Sequence, residues 1–442
     1  MRIQLSDHFT YKKLLRFTFP SIGMMVFISI YGVIDGFFVS NFVGKTAFSA
    51  INLIMPFFMI FGSFGFMIGT GGSALVARIL GLGDKKTANG YFSMMIIFTL
   101  LVSLILSIAG YFIIRPLATM LGATGNMIED CVRYGKVLIF SLPSFMLQNV
   151  FQSFLVTAEK PKLGLIYTIV AGVANIVLDG LFIIGFHWGV FGAALATVIS
   201  QSIGGLLPFI YFIRPNKSLL RLQKTRLELQ PLVKACTNGA SEMMSNISSS
   251  LVSVLYNFQL LRLVGENGVA AYGVLMYVNF IFLAVFIGYS IGSSPIVSYH
   301  FGAENHAELH NMKNKSLILM ALAGIGLTLL AQILATPLAK LFVGYDHDLF
   351  IMTRQAFKLF SISFLATGLN IFASGFFTAL NNGAVSAAIS FIRTLVFQLL
   401  SVLLLPVFLG INGIWLAIVV AEMLTLIVSF FFLATKKKRY HY

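Results

Sequence analysis

Residues 71–81, GGSALVARILG, return 221 positions later as residues 292–302, GSSPIVSYHFG, with Gly71, Ser73, Val76 and Gly81 falling on Gly292, Ser294, Val297 and Gly302. The echo runs outward at the same offset. Val43-Gly44 meets Val264-Gly265, and Pro116-Leu117-Ala118 meets Pro337-Leu338-Ala339. Phe151, Ser153, Thr157 and Ala158 meet Phe372, Ser374, Thr378 and Ala379; Gly189, Gly192, Leu195 and Ala196 meet Gly410, Gly413, Leu416 and Ala417. An offset of half the 442-residue length, constant from end to end, marks a tandem duplication.

The duplicated unit is apolar. Of the whole chain 58% is hydrophobic and 10% charged, against roughly 25% charged in a soluble domain. Such a chain cannot cover a water-facing surface, and its long unbroken apolar runs exclude a transmembrane barrel of alternating strands. At about 20 apolar residues per crossing, twelve segments are predicted, centred near residues 28, 60, 101, 143, 175, 202, 246, 280, 326, 366, 396 and 423. The expected fold is an all-α polytopic membrane protein: twelve transmembrane helices in two parallel six-helix repeats. Six is even, so both copies enter and leave on one side and are related by an axis along the membrane normal, as in transporters that rock between two states. This reading divides the chain into an N-lobe (1–213), a basic linker (214–234) and a C-lobe (235–442).

The net charge of +15 would suggest nucleic acid in a soluble protein. Here it reflects basic loops on the cytoplasmic side, and no nucleic-acid partner is expected. Basic stretches at either end (Arg2, Lys12, Lys13, Arg16; Lys436, Lys437, Lys438, Arg439) put both termini in the cytoplasm. The N-terminal flank has no small-residue cleavage site, so the first apolar run reads as a retained span. Cys131 and Cys236 make neither a disulfide framework nor a metal knuckle. Gly69-Thr70-Gly71-Gly72-Ser73 lacks the Lys and the preceding strand of a nucleotide loop and reads as close helix packing. His300, His306 and His310, near Glu304, read as a solvated loop.

Four acids lie inside apolar segments: Asp35, Asp179, Glu242 and Glu422. Each costs roughly +2.5 to +3.5 kcal/mol at a span centre and so marks a cavity, an ion path or a proton relay. At the 221 offset they fall on Tyr256, Leu400, Ser21 and Gln201, so the fold is repeated but the acids are not. That asymmetry favours a chemical role. With 1.5 Å per residue, Asp35 lies about 6 Å and Asp179 about 10 Å below the outer end of its span. Asn175 is one turn deeper than Asp179, Tyr31 one turn below Asp35, and Thr197 about 9 Å down the sixth span. Two carboxylates, an amide, a hydroxyl and a phenol thus share one layer. Such hard oxygen donors suit Na⁺, with Asp35, Asn175, Asp179 and Thr197 as its ligands. Equally, buried neighbouring carboxylates suit a shared proton. The two ligands would compete. Arg393, inside the eleventh span, either pairs with a buried acid or reaches for the interface.

On these residues the chain resembles the multidrug and toxic compound extrusion (MATE) transporters, of the bacterial DinF-type branch. The resemblance covers essentially the whole length. The family places Tyr and Asp on the first helix, Asn-x-x-x-Asp on the fifth and Thr on the sixth; here these are Tyr31, Asp35, Asn175, Asp179 and Thr197. Pro20 matches a family proline on the first helix, and the resemblance links bending of that helix to protonation. A second-lobe site of some members needs a Glu on the seventh helix and an Asp on the tenth. Glu242 supplies the first, but the tenth span (LFSISFLATGLNIFASGFF) has no acid, which leaves Glu242 and Glu422 as substrate-contacting or secondary polar groups. The resemblance implies a bacterial inner (plasma) membrane protein, not an enzyme, with no cofactor. H⁺ or Na⁺ moving inward would drive organic, often cationic, compounds out, and a monomer would suffice. The alternatives are a lipid-linked saccharide flippase or exporter of the same broad superfamily, an ion channel, and a membrane-embedded enzyme. The first would carry more spans and a basic cavity.

Overall fold

The structure, a computed structural model, describes residues 3–121, 123 and 125–442; Arg2 of the N-terminal basic stretch lies outside them. It is 88% helical, with no strand among the described residues. Twelve spans follow one another: α1 (Tyr11–Val43), α2 (Ala50–Gly81), α3 (Lys85–Met120), α4 (Asn126–Ile139 continued by Leu142–Thr157), α5 (Pro161–Gly185), α6 (Gly189–Ile213), α7 (Leu229–Val264), α8 (Glu266–Gly302), α9 (His306–Val343), α10 (His347–Ala379), α11 (Gly383–Leu409) and α12 (Ile411–Thr435). Their centres match the apolar runs, and their boundaries repeat at the offset of the duplication. α7 opens at Leu229, inside the stretch read as linker.

Local chemistry explains where the copies agree and where they part. Asp84 and Asn305, equivalent positions, cap α3 and α9: their side-chain oxygens accept from the amides of Thr87 (3.0 Å) and Glu308 (3.1 Å), satisfying donors that a helix start leaves free. α4 bends by 55° at its break. Its second half carries a proline in the first turn, Pro143, which has no N–H to continue the ladder from the preceding turn. The equivalent residue in α10 is Phe364, and there a single 3₁₀ turn, Ser361–Ser363, joins the two halves.

The lobes meet through α1 and α2 on one side and α7 and α8 on the other. Glycines make this seam. A side chain at Gly71 would strike the Ala235 carbonyl at 2.0 Å and the Gly239 backbone; one at Gly292 would strike Thr18 at 3.0 Å. A side chain at Gly81 would lie 2.0 Å from the Tyr299 carbonyl, and one at Gly302 2.0 Å from the Arg78 carbonyl. Each pair is the image of the other under the repeat, the self-complementary contact a two-fold axis demands. Small residues permit such backbone approach where lipid offers no hydrophobic drive between helices. The Arg78 guanidinium also stacks over Phe301 across the seam, 5.0 Å from the ring centre. These contacts lie toward the chain termini. On α1 the seam reaches Ser29, whose hydroxyl donates to the Phe280 carbonyl at 3.2 Å. Asp35 lies about 9 Å further along.

Candidate functional site

Asp35 sits on α1, and Asp179 on α5 at the junction where the α-helix gives way to a π-helical stretch, Gly180–Gly185. The wider turn changes the direction in which successive side chains leave the axis, a feature frequent at functional sites. The two carboxyl groups face one another within hydrogen-bonding range. Asp179 is 0% exposed and Asp35 half-buried. Among the described residues no N–H or O–H reaches either Asp179 oxygen or Oδ1 of Asp35, and the Asn175 amide nitrogen is likewise without a partner. Buried carboxylate oxygens left unpaired are costly. Their lone pairs suit a small cation or a proton held between them.

Gly172 brings α1 against α5. A side chain there would lie 2.5 Å from the Phe27 ring and 2.7 Å from the Tyr31 ring, so the missing Cβ lets both rings pack against α5. Tyr31 lies near Asp35 and beside the Gln148 amide. Asn175 is buried one turn from Asp179 on α5. Thr197 on α6 donates to the Ala193 carbonyl at 3.1 Å and sits beside Tyr134, which lies close to both carboxylates. Tyr134 and Gln148, both on α4, escaped sequence reasoning. A polar residue in an apolar span is the available signal, but α4 carries several such residues and nothing in its pattern marks these two. α1 continues unbroken through Pro20, which is buried beside the seam.

The second lobe has a different interior. Nε and Nη2 of Arg393 on α11 meet Oε1 of Glu422 on α12 at 2.8 and 2.7 Å. The other carboxylate oxygen of Glu422 accepts from the Asn370 amide at 2.7 Å, and the Asn370 oxygen accepts from Ser429 at 2.9 Å. Arg393 also lies in a π-helical stretch, Ile392–Gln398. Glu422 is thus buried in a closed network, while Glu242 is half-buried on α7 within electrostatic reach of Arg393. Asp35 and Asp179 come together; Glu242 and Glu422 do not join them.

No three His, Cys, Asp or Glu side chains gather as a metal centre among the described residues. A cation in the first lobe would therefore rest on two carboxylates plus neutral oxygens. His310 pairs with Asn314 at 2.8 Å, His306 packs against His441, and His300 is buried, so the three histidines do not converge.

A MatE family model matches the chain twice, over residues 20–181 and 243–403, one match in each copy of the duplication. Multidrug export protein MepA of Staphylococcus haemolyticus (strain JCSC1435) is 24% identical over 436 residues, covering 97% of this chain and 94% of the relative. Among solved structures, MATE in complex with MaL6 superposes with a TM-score of 0.93 at 22% identity, covering 98% of both chains. A multidrug resistance MATE family transporter of the MOP superfamily in its outward-facing conformation gives the same score and identity, covering 98% of this chain and 97% of that one. Two six-helix lobes, a glycine seam and a family match in each lobe lead to one assignment: the chain belongs to the MATE family of multidrug and toxic compound extrusion transporters.

Proposed function

We propose that the protein is a secondary active multidrug exporter of a bacterial plasma membrane, with both termini cytoplasmic. H⁺ or Na⁺ entering the cell is exchanged for organic, often cationic, compounds. Asp35 and Asp179 are the coupling carboxylates, with Asn175, Thr197 and Tyr31 as ligands or hydrogen-bond partners. The observation that carries this reading is the facing, unpartnered carboxyl pair in the first lobe. The MepA relative, an export protein by name, supports the direction of transport.

The physical logic is competition. An empty pair carries negative charge that favours a cationic substrate between the lobes. A proton or Na⁺ bound between the carboxylates removes that charge and weakens the hold on substrate. Ion and substrate thus bias the two access states in opposite senses, which a coupled exchanger requires. One net charge crossing 100 mV supplies about 2.3 kcal/mol; one-for-one exchange with a monovalent cation moves no net charge and draws on the ion's concentration gradient alone. With the termini in the cytoplasm, a seam closed on the terminal side corresponds to access from outside.

The test is purified protein in liposomes under an imposed Na⁺ or proton gradient, with a fluorescent organic cation as reporter. Transport driven by one gradient and lost in Asp35→Asn would support the reading and identify the ion. Coupled efflux that survives neutral Asn at both Asp35 and Asp179 would overturn it.

A further inference from the structure

Residues 3–10 precede α1 in the first lobe, yet they dock on the second. Leu5 and Phe9 are both 0% exposed and belong to the apolar core of the second lobe. The Leu5 amide donates to Oε1 of Glu159, in the α4–α5 connection of the first lobe, at 2.9 Å. Four residues on, the Phe9 amide donates to Oε1 of Glu308 on α9 at 2.9 Å. The Phe9 carbonyl accepts from the Asn311 amide at 3.0 Å and from Lys315 Nζ at 2.7 Å. Oε2 of Glu308 meets His8 Nδ1 at 2.6 Å, and the His300 ring sits beside the backbone of Leu5 and Asp7 and the Glu308 carboxylate. A buried carboxylate receiving several donors is a strong anchor.

The linker between the lobes does the same in mirror fashion. The Arg221 amide donates to Asn89 Oδ1 at 2.7 Å, the Gln223 amide to Ser93 Oγ at 2.9 Å, and the Gln223 side chain to the Lys86 carbonyl at 3.0 Å. All three acceptors lie on α3, the counterpart of α9. The segment leading into each lobe's first helix is therefore tied across to the third helix of the other lobe, on the side where the glycine seam is closed.

We propose that residues 3–10 are a latch across the terminal side of the seam, with Glu308 as its catch. Glu308 is a positioning residue of the transport cycle: it holds the latch and so sets how readily the lobes part there. This rests on the two-state reading of the transporter. The span from Leu5 to Phe9 can bridge at most about 14 Å, so the Glu159 and Glu308 anchors cannot both persist once the lobes separate further.

Spin labels at Lys85→Cys and Ala307→Cys, both exposed beside the starts of α3 and α9, in a background lacking Cys131 and Cys236, report the distance between lobes by pulsed dipolar spectroscopy. The intact latch should give one short distance. Phe9→Ala and Glu308→Ala should each add a longer population, and Glu308→Gln, whose amide oxygen still accepts from Phe9, should restore most of the short one. In liposomes Glu308→Ala should change the maximal transport rate several-fold, with the half-saturating substrate concentration unchanged. His8→Ala, a change at an exposed side chain, serves if Glu308→Ala does not fold. Distances unchanged in Phe9→Ala and in either Glu308→Ala or His8→Ala would overturn the latch. The distance measurement needs no coupling ion, so failure of the ion-exchange reading would leave its result intact.

Discussion

The two lobes share one helical frame but fill it with opposite electrostatics. In the first, Asp35 and Asp179 face each other without a fixed cation. In the second, the buried carboxylate of Glu422 carries its own cation, Arg393, and its remaining oxygen is held by Asn370. The exchange can be traced to single positions of the repeat. Gly172 stands where the second lobe has Arg393, Gln201 where it has Glu422, and Asp35 where the second lobe has Tyr256. A duplicated scaffold thus holds one interior acid whose charge is balanced by a fixed cation and one carboxyl pair with no fixed cation beside it. The comparison teaches that an acid inside a membrane span is a coupling candidate only when its neighbourhood leaves it unpaired.

The largest effect should come from removing that unpaired charge. Asp179→Asn should reduce gradient-driven efflux in liposomes to the background of protein-free vesicles, while Glu422→Gln combined with Arg393→Met should leave ion dependence in place. If the double substitution instead changed which ion drives transport, the contrast between the lobes would break.

Next in size is the second-lobe pair itself. Arg393→Met or Glu422→Gln alone strands a buried charge or breaks its network and should cost about 3–5 kcal/mol, whereas removing both should recover much of that loss. Thermal unfolding in detergent, measured for both single variants and the double, gives the interaction directly. Additive losses would mean that the pair is not a unit.

Smaller again is Gly172→Ala. Its added Cβ would collide with Phe27 and Tyr31 at 2.5 and 2.7 Å, and overpacking of this kind typically costs about 1–3 kcal/mol. Because Tyr31 borders Asp35, ion affinity should fall with stability, as read by the gradient needed for half-maximal efflux. The equivalent site already carries a long side chain, so the same crowding is absent in the second lobe.

The smallest effect separates the two helix caps. The Thr87 hydroxyl and amide donate to Asp84 and hold its carboxyl below the ordinary value of 3.8. The charged cap therefore contributes fully above that value, and its contribution is lost as pH falls through the lowered one. Asn305, its counterpart, does not titrate. Amide exchange at Thr87 should accelerate, relative to the intrinsic rate, over that acidic window, and exchange at Glu308 should not follow it.

Much of this was legible in the sequence. Apolar runs located the twelve spans, because crossing a bilayer demands an unbroken stretch of fixed length whatever its neighbours. The offset of 221 revealed the lobes, since residues such as Gly71 and Gly292 answer the same packing need twice. Asp35, Asn175 and Asp179 stood out because polar groups are rare in such runs. Other features were hidden. Arg393 and Glu422 stand 29 residues apart on different helices, and nothing in either span's pattern states that they meet. The π-helical turn after Asp179 leaves no periodic trace, and Tyr134 and Gln148 reach the site only through the course of α4, bent beyond Pro143.

The sequence by itself determined how many times the chain crosses, that it does so in two like halves, and where in each half the intramembrane acids fall. Those properties follow from hydrophobicity and repetition, which are local or periodic. Only the tertiary structure decided which acid is free, which is neutralised, and that residues 3–10 reach across to Glu308. These depend on how each helix is rotated and laid against its neighbours, and in lipid that is set by close packing and hydrogen bonds between distant segments rather than by any pattern along the chain.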